Sequence, residues 1–121
     1  MRSSPIFVFA GLFAAAGIAI GAGDPGKPKV RYSAVEPIVK TKCLSCHNDK
    51  RHPEKVDLSS YAALMKSGEH KPIVVAGRPE KSSFYLYVDG EKQPRMPFKA
   101  APLTPKEIAK IRAWISGGAA K

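Results

Sequence analysis

The sequence predicts an all-α domain of about four short helices, preceded by a leader that stands outside the fold. Three observations carry this. Capping residues precede apolar runs at Ser33, Ser59–Ser60 and Thr104, each able to satisfy the orphan N–H groups of a helix start. Gly68 and Gly117-Gly118 stand where such runs end, as helix stops do. Eleven prolines and ten glycines in 121 residues imply short elements joined by stiff loops. The length points to one small domain and excludes a large multi-domain enzyme. A hydrophobic share of 44% is enough for a modest core, so the chain is not disordered by composition.

Residues 1–23 read as a secretory signal peptide. Arg2 is followed by an uncharged stretch from Ser3 to Gly23, mostly apolar from Ile6 to Ile20. That is the charged start, apolar middle and small-residue exit of an export signal. Cleavage is expected after Gly21, Ala22 or Gly23; the rival is an uncleaved N-terminal anchor, since residues 6–23 would reach roughly 27 Å as a helix. Either way the remainder is expected to be exported, to the periplasm or otherwise outside the cytoplasm. Residues 24–32, beginning DPGKPKV, form the linker, and 33–121 the domain. A mature chain of this size buries only about 60–65% of its unfolded surface. An additional core element would therefore help it.

The first helix is expected over about Ser33 to Leu44, with Ser33 and Glu36 as a capping box and Val35, Ile38, Val39 and Cys43 on one face. Pro37 then falls in the first turn, where a missing N–H costs least. The second runs from about Ser59 to Lys66. The third is ambiguous: Phe84-Tyr85-Leu86-Tyr87-Val88 has strand propensity, whereas Pro79-Glu80 reads as a helix start; helix is preferred. The fourth is the clearest, with Thr104 as cap, Pro105 at the first position and Glu107 at the third. Ile108, Ile111 and Ile115 share a face, with Trp114 beside them. Between the last two helices, Gln93 to Phe98 cannot be helical because Pro94 and Pro97 interrupt it.

The chemistry lies in Cys43-Leu44-Ser45-Cys46-His47. C-x-x-C-H is a haem-attachment pattern, and at this composition it arises by chance in about one sequence per thousand. One helical turn places both sulfurs for thioether bonds to a haem, and His47 follows as the proximal iron ligand. A redox dithiol would need a βαβ context, and a zinc site two further ligands. Two cysteines cannot supply a multi-bridge disulfide scaffold or a four-cysteine zinc site. The second axial ligand comes from Met65, Met96, His52 or His70. Met65 reads as core beside Leu64, His52 is too near His47 in sequence to cross to the opposite side, and His70 reads as solvated in GEHKP. Met96, flanked by Pro94 and Pro97, can present its thioether with little entropy lost. Thioether ligation raises a haem potential relative to two histidines, as suits a carrier.

Over nearly its whole mature length the sequence resembles the planctomycete-type cytochrome c domain, a branch of the class I monohaem cytochromes. The resemblance rests on Cys43-x-x-Cys46-His47, the stretch from Asp57 to Gly68, Val75 to Ser82, Arg95-Met96-Pro97, and Leu103 to Ala119. It implies a cytochrome c fold around one covalently attached haem c, with first and last helices crossing, and Met96 as distal ligand. Such domains often lead longer secreted proteins. The sequence ends after the cytochrome, which favours a diffusible or tethered electron carrier over an enzyme.

The expectation is therefore an exported monohaem c-type cytochrome that carries single electrons on a His47/Met96-ligated haem. The alternatives are a haem enzyme or gas- or peroxide-binding protein with a displaceable distal ligand, and a haem module of a larger redox complex. The backbone carbonyl that accepts from His47 Nδ1 is expected between Pro53 and Val56. Arg78, Tyr85 and Arg95 are candidates for the haem propionates, and Trp114 reads most simply as core. The formal net charge is +10, and it is uneven. Residues 24–56 carry eight Lys/Arg against four Asp/Glu, 57–91 four against five, and 92–121 seven against one. That distribution points to an acidic redox donor or acceptor, with Lys50, Lys92 and Lys99 as candidate contacts. Nucleic acid is not expected, for want of an aromatic–basic motif. A membrane tether would run through residues 6–23.

Overall fold

The computed structural model describes Gly11 and residues 29–121. The expected leader, apart from Gly11, and residues 24–28 of the linker lie outside the described residues. Four α-helices follow in order: α1 (Tyr32–Lys42), α2 (Tyr61–Lys66), α3 (Ser83–Asp89) and α4 (Pro105–Ser116). Single 3₁₀ turns occur at Pro53–Lys55 and Pro79–Lys81. There is no strand among the described residues, so the fold is all-α, as the caps and stops predict. Among the described residues no helix is long and apolar enough to cross a membrane.

The packed unit begins earlier than the sequence suggests. Val30 packs against the core, and Tyr32, assigned to the linker, is buried and opens α1. Its N–H donates to the Ala120 carbonyl at 2.8 Å. Its ring lies 5.4 Å from Tyr61 and 5.6 Å from Trp114, within the range of favourable tilted aromatic pairs. The Ser33–Glu36 capping box is therefore not formed. Arg31 occupies the N-cap without a side-chain bond, because burying Tyr32 outweighs one exposed cap. Pro37 consequently sits in the second turn rather than the first. It leaves the Ser33 carbonyl without its helical donor, and both residues are exposed, so water can reach that oxygen.

Helix α2 is capped by Ser60, whose Oγ accepts the Ala63 N–H at 3.0 Å. In α3, Phe84, Leu86 and Val88 are buried and Tyr85 and Tyr87 half-buried. Burial on nearly every side erases the helical period and explains the strand-like composition. The Pro79-Glu80 signal opens only the 3₁₀ turn, and α3 begins after it. Gly90 ends α3 with φ +89, a conformation that costs other residues roughly 1–2 kcal/mol. In α4 the capping box forms as read: Thr104 Oγ1 accepts the Glu107 N–H at 3.2 Å, and Glu107 Oε1 accepts the Thr104 N–H at 3.0 Å.

Helix α4 packs on α1 and on α3. Val35 and Val39 of α1 meet Ile111, Trp114 and Ile115 of α4 in one buried cluster that also takes in Leu58, Leu64 and Leu103. Trp114 is wholly buried, and its indole N–H donates to the Ala120 carbonyl at 2.9 Å. The Tyr61 hydroxyl donates to the Ala119 carbonyl at 2.8 Å. The last residues thus tie α1, α2 and α4 together.

Candidate functional site

The C-x-x-C-H segment continues directly from α1. Cys43 ends that helix, its N–H donating to the Val39 carbonyl at 3.0 Å. The Cys46 and His47 N–H groups then both donate to the Cys43 carbonyl, at 3.2 and 3.0 Å. This winds one further turn, so Cys43, Cys46 and His47 are gathered on a single loop of backbone. Neither cysteine is in a disulfide; Cys43 is half-buried and Cys46 exposed. Burial pushes the Cys43 thiol up to about 11, and the nearby Glu107 carboxylate adds to the rise. A redox dithiol needs the opposite shift. Among the described residues, no group of three or more His, Cys, Asp and Glu converges in a metal-holding arrangement.

His47 Nδ1 lies 3.0 Å from the Val56 carbonyl, inside the stretch expected to supply its acceptor. With Nδ1–H donating there, the Nε2 lone pair is directed away and free to act as a ligand. The chain returns from His47 to Val56 through a tight loop. Asn48 Oδ1 accepts the Lys50 and Arg51 N–H groups at 3.0 and 2.8 Å, and Asn48 Nδ2 donates to the Leu44 carbonyl at 2.9 Å. Glu54 and Lys55 both take left-handed backbone, at φ 56 and 57. Each costs of order 1–3 kcal/mol for such residues, and together they turn the chain so that Val56 faces His47. The Leu58 N–H closes the loop on the His47 carbonyl at 3.0 Å. Sequence reasoning did not find Asn48, Glu54 or Lys55. For Asn48 the signal was its turn chemistry; for Glu54 and Lys55 no residue preference gives it away.

Met96 is half-buried and packs against the core cluster. So does Met65, so burial does not separate the two. The backbone does. Met65 sits within α2, whereas Met96 lies in an exposed loop and is drawn to α3 by its N–H, which donates to the Tyr87 carbonyl at 2.9 Å. His52 is exposed, its Nδ1 3.0 Å from the Asn48 carbonyl. His70 is 89% exposed beside Glu69. Of the propionate candidates, Arg78 and Arg95 are exposed and Tyr85 half-buried. Arg95 is engaged with the Asp89 carbonyl at 3.4 Å, and its guanidinium occupies the space a side chain on Gly90 would fill.

Two thiols one turn apart, followed by a histidine with one nitrogen anchored and the other free, are the donor set that covalent haem requires. Half-buried apolar side chains, Val56, Met65, Tyr85, Met96 and Ile108, border the core cluster. Residues 43–98 match the family model described as Planctomycete cytochrome C. No curated protein and no solved structure matches the chain. The family match opens on Cys43, closes on Phe98 and leaves out α1 and α4, which share its core. That match supports a planctomycete-type cytochrome c domain over residues 43–98, a family that implies covalently bound haem c and suggests a haem-binding electron carrier.

Proposed function

We propose that this cytochrome c domain is a one-electron carrier that works outside the cytoplasm. One haem c would be held through thioethers from Cys43 and Cys46, with His47 and Met96 as axial ligands. When bound, the haem supplies an iron couple that takes up one electron from a donor and returns it to an acceptor. The residues do the rest. The turn at Cys43–His47 holds two attachment points and a ligand on one rigid piece of backbone. Val56 fixes the tautomer and tilt of His47 and raises its basicity. Met96 would supply a thioether donor, which raises a haem potential and keeps other ligands from the iron. The observation that carries the reading is the 3.0 Å contact between His47 Nδ1 and the Val56 carbonyl. The test is the spectrum of the purified protein, oxidised and reduced. A low-spin ferric form with the weak far-red band of an iron–methionine bond is expected; a high-spin ferric form would overturn the carrier reading.

One observation favours a second reading, a haem enzyme or gas- or peroxide-binding protein. The loop bearing Met96 is exposed over residues 91–95 and 98–102, so a displaceable ligand is within its reach. The same spectrum separates the two.

The basic surface supports an acidic redox partner. Lys92, Lys99 and Lys50 are all exposed. Lys99 lies 5.2 Å over the ring of Phe98, and Phe98 is 57% exposed. Charge of this kind speeds encounter at low salt more than it raises final affinity. The rate of electron transfer to the acceptor is expected to fall as ionic strength rises; a flat or rising rate would remove the docking role. Export, with or without a tether through residues 6–23, is read by locating the protein and sequencing its mature N-terminus.

A further inference from the structure

We infer that Ser67 is a positioning residue for His47, acting through the peptide plane between Val56 and Asp57. The inference rests on the proposed role of His47 as an iron ligand. Ser67 is only 4% exposed. Its Oγ accepts the Asp57 N–H at 2.9 Å, and its single O–H is within donating distance of the Ala63 carbonyl at 2.8 Å and of the Asp57 carbonyl at 2.9 Å. The Asp57 N–H and the Val56 carbonyl are the two ends of one planar peptide group. Ser67 therefore grips one end of the plane while His47 Nδ1 engages the other, at 3.0 Å. A plane held at its N–H cannot rotate its carbonyl away from the imidazole.

The grip also has an electronic consequence. An amide whose N–H is hydrogen-bonded is polarised, and its oxygen becomes a better acceptor. A better acceptor on Nδ1–H makes the imidazole a stronger donor at Nε2. Stronger donation favours the oxidised iron and lowers the potential. Ser67 thus tunes the redox centre from a position that touches neither ligand nor iron.

The fold supplies its own control. Ser82 is wholly buried and makes a similar clamp, accepting the Val75 N–H at 2.8 Å and donating to the Arg78 carbonyl at 2.8 Å. Its clamp holds residues that make no bond to His47. Both serine-to-alanine variants strand a half-buried N–H, so both are expected to lower stability.

The experiment compares Ser67→Ala, Ser67→Thr and Ser82→Ala as holoproteins. Ser67→Ala is expected to raise the midpoint potential and speed exchange of the His47 Nδ1 proton roughly fivefold, the loss of a hydrogen bond of ordinary net strength. Ser67→Thr, which keeps the hydroxyl, is expected to restore both, and Ser82→Ala to move neither. Equal potential shifts in Ser67→Ala and Ser82→Ala, or none in either, would overturn the inference. Should Ser67→Ala not fold, the wild-type protein decides: the Asp57 amide and the His47 ring proton are expected to exchange through one common opening, and unlinked rates would defeat the proposal. Hyperfine-shifted imidazole resonances of the oxidised wild type report ligation independently. Their absence would defeat the proposed function; their presence with an unmoved potential in Ser67→Ala would defeat this inference alone.

Discussion

The segment from Cys43 to Leu58 and the segment from Gly90 to Leu103 are built by opposite means, although each is proposed to supply one axial ligand. The first is cross-braced. Its turn, its Asn48 side chain, its His47 ring and its closing Leu58 N–H all bond within the segment. The second is tethered. Lys92 and Met96 donate their N–H groups to the Leu86 and Tyr87 carbonyls of α3, and from Pro97 to Leu103 the backbone bonds, among the described residues, only between Ala100 and Pro97. Position on the first side is set by a network; on the second, Gln93 braces only the stretch from Gly90 to Arg95, and beyond it the two anchor points and the prolines set the path. Damage to the first should cost folded protein; damage to the second should retune it.

The largest effect is expected on the braced side. Cys43→Ala or Cys46→Ala should leave little folded protein in the cell, because the proposed haem would complete the core of a chain this small. Immunoblots of fractions treated with protease check this. Normal levels of a soluble, resistant apo-form would show that the braced segment stands without its cofactor.

On the tethered side, Met96→Ala is expected to keep covalent haem, lower the potential and admit small ligands such as azide or imidazole. Met65→Ala should do none of this and cost ~2 kcal/mol, the low end for a partly buried methionine. Redox titration and ligand-binding spectra separate the two. If the far-red band survives in Met96→Ala and vanishes in Met65→Ala, the tethered loop has no ligand role and the comparison between segments fails.

This contrast also marks what could be read from the sequence. The C-x-x-C-H turn and the α4 capping box are local, each specified by residues within one turn of one another, and both form as read. The Met96 loop was legible as non-helical because proline forbids helix whatever surrounds it. Tertiary burial decided the rest. Tyr32 overrode the Ser33 cap because its ring fills a space between Tyr61 and Trp114. Helix α3 looked like a strand because its tyrosines are half-buried. The bracing of the first segment was the least legible part, since Val56 contributes a carbonyl that every residue has, and Ser67 reaches across ten positions to Asp57.

A smaller effect tests the anchor of the tethered loop. Gly90 takes left-handed backbone, and a methyl group there would run into the Arg95 guanidinium. Gly90→Ala is expected to cost roughly 1–2 kcal/mol and to displace Arg95, loosening the approach to Met96. Azide should then bind the oxidised protein more tightly than it binds the wild type, with the far-red band still present in its absence. Unchanged azide affinity alongside the stability loss would show that the tether at Tyr87 suffices without Arg95.

The smallest effect lies at the seam between the two segments, where the tethered loop ends in the cap of α4. Glu107 accepts the Thr104 N–H at 3.0 Å, and this backbone bond holds its carboxyl below its ordinary value of 4.5. A depressed folded value means that the carboxylate stabilises the fold above the unfolded value, and that this contribution is lost as pH falls through the folded one. As pH falls below that ordinary value the first turn of α4 is therefore expected to fray, with faster exchange of the Thr104 amide. Asp57, on the braced side, is shifted in the same direction by its bonds to Ser59, so acid sensitivity of the whole protein does not distinguish the two. Glu107→Gln does. It keeps an acceptor for Thr104 without a titrating group, and should flatten the pH dependence at Thr104 while leaving that at the Ser59 amide, which donates to Asp57 at 2.9 Å, unchanged. Persistence of the full acid response at Thr104 in the glutamine variant would mean that the seam is controlled from the braced side, and that the two segments are not independent in acid.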